Sequence, residues 1–103
     1  MKIEVLYFDG CPSWENGLKN LEAAMQGEGL SASVEMINVK DDNDSARLKS
    51  LGSPHIRVEG HDLWSEEREN YSLSCGIYST PGGIRGFPTI AMLREQLKQY
   101  KRA

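Results

Sequence analysis

Two cysteines and two histidines are the chain's most reactive side chains: Cys11, Cys75, His55 and His61. Cys11 is the best placed of them. It follows an apolar run (Ile3, Val5, Leu6, Tyr7, Phe8) and precedes a helical pattern opened by Pro12. A thiol there stands at the mouth of a helix that follows a strand. The free N–H groups and positive dipole end of a helix start favour the thiolate. Thiolate is the form that attacks disulfides and binds soft metals. The alternative is an inert, buried sulfur packed beside Trp14. Trp14 matters because a Cys-x-x-Cys motif would put its second cysteine there.

Cys75 is the other thiol, and it offers a distant resolving sulfur and a Cys11–Cys75 disulfide. Residues 74–79 read as a strand antiparallel to the one at 53–60, which would hold Cys75 beyond disulfide reach. A fold-back of residues 61–72 would bring it in. His55 is a candidate base or cation for Cys11. Strand alternation sets it with Arg57 and Glu59, opposite Ile56 and Val58, so the competing reading is a partly exposed strand histidine. Together Cys11, Cys75, His55 and His61 are suitable metal ligands, but they lack the short paired spacings of structural zinc. A soft ion such as mercury or copper(I) needs only two thiolates.

The elements that must position these groups are readable from periodicity. Residues 2–8 form a buried strand that ends at Asp9-Gly10. Trp14, Leu18, Leu21 and Met25 share one face of a helix from Pro12 to about Gln26, stopped at Gly27 or Gly29. Residues 32–39 form a second strand, so the opening unit is β-α-β with parallel strands. Asp41 to Asp44 cap a short helix carrying Ala46, Leu48 and Leu51; the offsets of a calcium loop are absent. Ser53 to Gly60 reads as a third strand running into a tight turn at Glu59-Gly60. Residues 61–72 are polar and irregular, with Trp64 as a loop anchor or partner surface and Glu66-Glu67-Arg68-Glu69 as a solvated run. Thr80-Pro81-Gly82-Gly83 is a turn. A last helix runs from about Pro88 to Tyr100, with Ile90, Leu93, Leu97 and Tyr100 on one face.

At 103 residues the chain fits one domain. Its 39% apolar and 26% charged content is that of an ordinary globule. A net charge of −3 gives no reason to expect nucleic acid or an anionic membrane as partner. No apolar run approaches a membrane span and residues 1–8 lack signal-peptide character, so the cytoplasm is the expected location. Two widely separated cysteines are not a secreted disulfide framework. No phosphate loop, dinucleotide fingerprint or serine-hydrolase elbow is present.

The order of elements, with Tyr7-Phe8-Asp9-Gly10-Cys11-Pro12-Ser13-Trp14 at the first strand-to-helix junction and Gly52-Ser53-Pro54-His55-Ile56-Arg57-Val58-Glu59-Gly60 at the third strand, resembles the thioredoxin-like superfamily. The second segment is similar to the proline, strand and turn of glutaredoxins. The resemblance implies a three-layer α/β/α fold with a four-stranded mixed sheet and an irregular insertion before the last strand. It implies a cis Pro54 beside Cys11, with His55 close by, Pro54 shaping a substrate groove and Ser53 backbone groups docking an extended peptide or thiol. Pro12 and Trp14 would flank that groove. Gly86-Phe87-Pro88-Thr89 mimics the cis-proline signal but reads as a helix start. With Trp14 in the second position, the chain looks like a single-cysteine (monothiol) variant. It would act as an oxidoreductase through a mixed disulfide with a protein or small-molecule thiol, and no cofactor is implied beyond glutathione as a co-substrate. The basic residue that precedes the active cysteine in glutaredoxins is absent. A soft-metal or organomercurial thiolate site and a non-catalytic interaction module are the rival readings.

Overall fold

A computed structural model describes residues 2–11, 13–50, 52–64 and 78–100. The elements are β1 (Lys2–Tyr7), α1 (Ser13–Gly27), β2 (Ser33–Asn38), α2 (Asp42–Leu48), β3 (His55–Val58), β4 (His61–Asp62), β5 (Tyr78–Thr80), β6 (Gly83–Arg85) and α3 (Ile90–Leu97), with a 3₁₀ turn at Lys98–Tyr100. Four strands form a mixed sheet in the order β2-β1-β3-β4. β1 runs parallel to β2, with Val5 opposite Met36, and antiparallel to β3, with Val5 opposite Ile56. The long connection needed to bring β2 back parallel is α1 itself.

The alternation of β1 and β3 sorts the two faces of the sheet. Ile3, Val5, Ile56 and Val58 join Leu21, Ala24 and Met25 of α1 and Leu93 and Leu97 of α3 in one buried core. From the opposite face Arg57 donates to the carbonyl oxygens of Leu48 and Lys49, at the end of α2. Helices therefore lie on both faces. Leu18 is only half-buried, and Gly17 and Ala24 complete the buried stripe of α1. The helix stops at Gly29 (φ 66), where Gly29 N–H bonds Gln26 O (3.1 Å) and Leu30 N–H bonds Met25 O (2.9 Å). That pair of bonds satisfies the last carbonyls of the helix. Asp41 caps α2 by accepting from Asp44 N–H at 2.8 Å. Leu51 lies outside the described residues.

Three expectations are corrected. Among the described residues the strand that follows β3 in the main sheet is β4, immediately after the turn at Glu59 (φ 53) and Gly60 (φ 81), while residues 74–77 of the expected strand lie outside the described residues. Positive φ at both central residues is what a two-residue type I′ hairpin requires, so the chain folds straight back on β3. β4 therefore lies at the start of the stretch 61–72 that the sequence reads as irregular. Tyr78–Thr80 is a strand, but it pairs with Gly83–Arg85 in a separate two-stranded sheet across the Pro81-Gly82 turn. Finally, α3 begins at Ile90 because Thr89 is its cap, accepting from Met92 N–H at 3.1 Å; Pro88 lies outside the helix and Ile90 is 42% exposed. Among the described residues no helix is long and apolar enough to cross a membrane.

α1 approaches the sheet closely at Gly17, where a Cβ would stand 2.6 Å from Pro54 Cγ. Gly→Ala inside a helix ordinarily stabilises by up to about 1 kcal/mol. At Gly17 the overlap reverses the sign, and Gly17→Ala should lower stability by about 1–3 kcal/mol. Urea unfolding of the two proteins checks this.

Candidate functional site

The end of β1 and the start of β3 are neighbours because Leu6 pairs with His55. That register carries Phe8 past the loop ahead of β3, where Phe8 N–H donates to Ser53 Oγ (3.3 Å). The chain then turns, with Cys11 N–H donating to Phe8 O (3.2 Å). This turn brings Cys11 Sγ to 3.6 Å from the Ser53 carbonyl oxygen. The Ser53–Pro54 peptide bond is cis, as the resemblance implied.

Cys11 is disulfide-bonded and has no exposed surface. An open, ionised thiol at the helix mouth is thus not the state this structure holds. The chain's second cysteine, Cys75, lies outside the described residues, as does Pro12. The geometric objection to a Cys11–Cys75 bond rested on residues 74–79 lying antiparallel beside β3, and β4 occupies that place instead. In the disulfide the Cys11 sulfur has no proton, so its approach to Ser53 O is a contact only. In the reduced protein the S–H can donate to this oxygen.

Ser53 is 2% exposed, and its hydroxyl and carbonyl both face the Cys11 loop. Pro54 is fully buried, wedged against α1 at Gly17. Its carbonyl accepts from the Tyr78 hydroxyl at 2.5 Å. Burial pushes the ionisation of that phenol far upward, so it remains a donor. The Tyr78 ring meets Trp64 edge-on, with centroids 5.5 Å apart. Trp64 packs against the core, which makes it an anchor. Trp14 is half-buried and lies against Tyr7, centroids 4.5 Å apart, rather than in the main core.

His55 shares the face of Arg57, as alternation requires, but it is buried at 4% exposure and not partly exposed. Its Nε2 sits 2.6 Å from Asp62 Oδ1, which Arg57 Nε also reaches at 3.0 Å. That nitrogen is therefore committed to a carboxylate and is not turned to a sulfur. Burial raises the Asp62 carboxyl, but hydrogen bonds from Arg57 and His55 outweigh it and hold it below the ordinary aspartate value. His61 is exposed on β4. Among the described residues no group of three or more His, Cys, Asp or Glu side chains is placed to hold a metal ion.

Sequence reasoning missed Asp62, Tyr78 and one crevice. The hairpin turn at Glu59-Gly60 was the available signal for Asp62, because it pairs Arg57 with Asp62 across the strands. Nothing in the sequence pattern singles out Tyr78. The crevice, of about 400 Å³, opens where the parallel strands end, between Phe8, Asp9 and Gly10 after β1 and Asn38, Val39 and Lys40 after β2. Open α/β sheets bind ligands at such carboxyl ends.

Comparison with known protein families, curated proteins and solved structures finds no match to this chain. The functional reading therefore rests on geometry.

Asp62→Ala leaves the buried His55 nitrogen without its carboxylate and should cost about 1–3 kcal/mol near pH 7. A depressed carboxyl stabilises above its unfolded value and loses that contribution as pH falls through its folded one. The stability gap between wild type and variant should thus narrow below about pH 4. Urea midpoints measured from pH 7 down to acid check this.

Proposed function

We propose that this is a thioredoxin-like protein that carries out thiol–disulfide exchange at Cys11. One observation carries the reading: a disulfide-bonded cysteine at the β1–α1 junction with its sulfur 3.6 Å from the carbonyl of Ser53, the residue that opens a cis peptide to Pro54. The sheet order β2-β1-β3-β4, with helices on both faces, adds support for the fold. Cys75, the other cysteine in the sequence, is the resolving sulfur. This replaces the expected single-thiol cycle with a two-thiol one, in which the partner sulfur comes from outside the Cys-x-x-Trp segment.

In the reducing direction an incoming thiolate attacks the disulfide. A new sulfur–sulfur bond forms to one cysteine and the other leaves as thiolate, which takes up a proton. A second substrate thiolate attacks the mixed disulfide, releasing the remaining cysteine. The protein gains two electrons and two protons, and two substrate thiols become one disulfide. The oxidising direction is the reverse. Glutathione, or a protein thiol, is the exchanging partner.

Intact-mass measurement should find the purified protein lighter by two hydrogens than its reduced form. Cys11→Ser should abolish exchange with oxidised glutathione, and Cys75→Ser should accumulate a mixed disulfide on Cys11 that peptide mapping locates. Unchanged exchange in Cys11→Ser would refute the proposal.

A further inference from the structure

We infer that the crevice at the carboxyl ends of β1 and β2 binds a free α-amino acid with an apolar side chain, its ammonium group on Asp9 and its carboxylate on Lys40. The inference is independent of the chemistry of Cys11 and adds a ligand site to the protein. Three observations carry it.

The first is place and size. The crevice, of about 400 Å³, lies between Phe8, Asp9 and Gly10 as the chain leaves β1 and Asn38, Val39 and Lys40 as it leaves β2. A Val39 N–H bond to Tyr7 O (2.7 Å) joins the two chains just before it. That volume lies within the range of small-molecule sites, and open α/β sheets take ligands at the ends of their parallel strands. The second is a pair of opposite charges left apart. Counted on from the Tyr7–Asn38 pair, Asp9 and Lys40 hold corresponding places on the two chains. Neighbouring strands run about 4.8 Å apart, so the two side chains are within reach of each other. Among the described residues no ion pair joins them. One Asp9 oxygen accepts instead from Asn38 Nδ2 at 3.3 Å, which leaves the other for a ligand. Asp44 meets Lys40 through the backbone N–H (3.2 Å) and takes Arg47 Nη2 (3.1 Å) as its ion-pair partner. The Lys40 ammonium thus stays available.

The third observation is an apolar wall beside those charges. The Phe8 ring lies against Gly10, where a Cβ would come within 2.9 Å of Phe8 Cε2. Val39 is 2% exposed and fixes the other side. Sites for small molecules combine an apolar surface of this kind with a few placed polar groups. One negative and one positive side chain cancel, so the crevice offers little to a simple cation or a simple anion. A ligand with an ammonium and a carboxylate on one carbon answers both at once. A peptide terminus brings only one of the two charges and is disfavoured. With its charged groups so placed, the amino acid rests its apolar side chain on the Phe8 ring.

The test is a titration of isotope-labelled wild-type protein with L-leucine, followed by amide NMR. Saturable shifts are expected at residues 8–10 and 38–40. Half-saturation should fall at about 1 mM, as suits two solvent-facing charges and one apolar contact. Isocaproate lacks the ammonium group and isoamylamine lacks the carboxylate, and each should bind about fivefold more weakly. Asp9→Asn should weaken leucine about fivefold without weakening isocaproate, which has no ammonium group to lose a partner. Lys40→Gln should do the same for leucine without weakening isoamylamine. Should a variant fail to fold, the analogues compared on wild type decide. The inference is overturned if leucine shows no saturation at about ten times the expected concentration. Shifts centred outside the crevice, or leucine bound no more tightly than both analogues, also overturn it. No step involves the sulfur, so failure here is distinct from failure of the proposed exchange activity.

Discussion

The seam between the β1–α1 junction and the Ser53–Pro54 loop is the constraint on which the rest of the structure depends. Antiparallel pairing of β1 with β3 brings the two segments alongside each other. Ser53 then joins them twice, its hydroxyl taking Phe8 N–H and its carbonyl facing Cys11 Sγ. Pro54 seals the seam from the helix side, and α1 comes close enough only because residue 17 has no Cβ to meet the proline ring. A buried sulfur, a buried serine and a buried proline thus share one small volume with every approach filled, as close packing in protein interiors demands. Whatever chemistry Cys11 performs is decided by how this seam opens.

The opposite face of the sheet solves a different problem. His55 is buried on the face of β3 that it shares with Arg57, and a buried imidazole needs partners. The hairpin at Glu59-Gly60 supplies one by swinging Asp62 back across β3. Asp62 in turn brings a negative charge, which Arg57 balances while donating to the terminal carbonyls of α2. One cation therefore neutralises a carboxylate and closes a helix end, where positive charge is favoured by the helix dipole. The His55–Asp62–Arg57 group ties the end of α2, β3 and β4 into one unit.

The sequence made legible those elements that are long enough to show a period. β1, α1, β2 and α2 were readable from apolar spacing and from Asp41 as a cap. β4 was not, because a two-residue strand carries no alternation. The turn before it is legible but its continuation is not, and the apolar residues at 74–79 offer a competing strand pattern. Pro88 and Thr89 both suit a helix start, and the side-chain bond to Met92 selects Thr89. At the site, Cys11, Ser53 and Pro54 come together from segments far apart in the chain. The face of His55 followed from alternation, but its burial did not, since depth depends on tertiary packing that alternation does not encode. Tyr78 was invisible because a single hydroxyl reaching a distant carbonyl leaves no local pattern.

The exposed strand β6 has one further consequence. Among the described residues β6 pairs with β5 alone and carries Ile84 at 71% exposure, and a strand edge of that kind is a template for unwanted association. Here the strand is only three residues long, begins at a glycine of φ 111 and ends at an arginine. A passing chain would find too few successive amides in register to nucleate a ladder. Shortness and charge are thereby what blunt this edge against association.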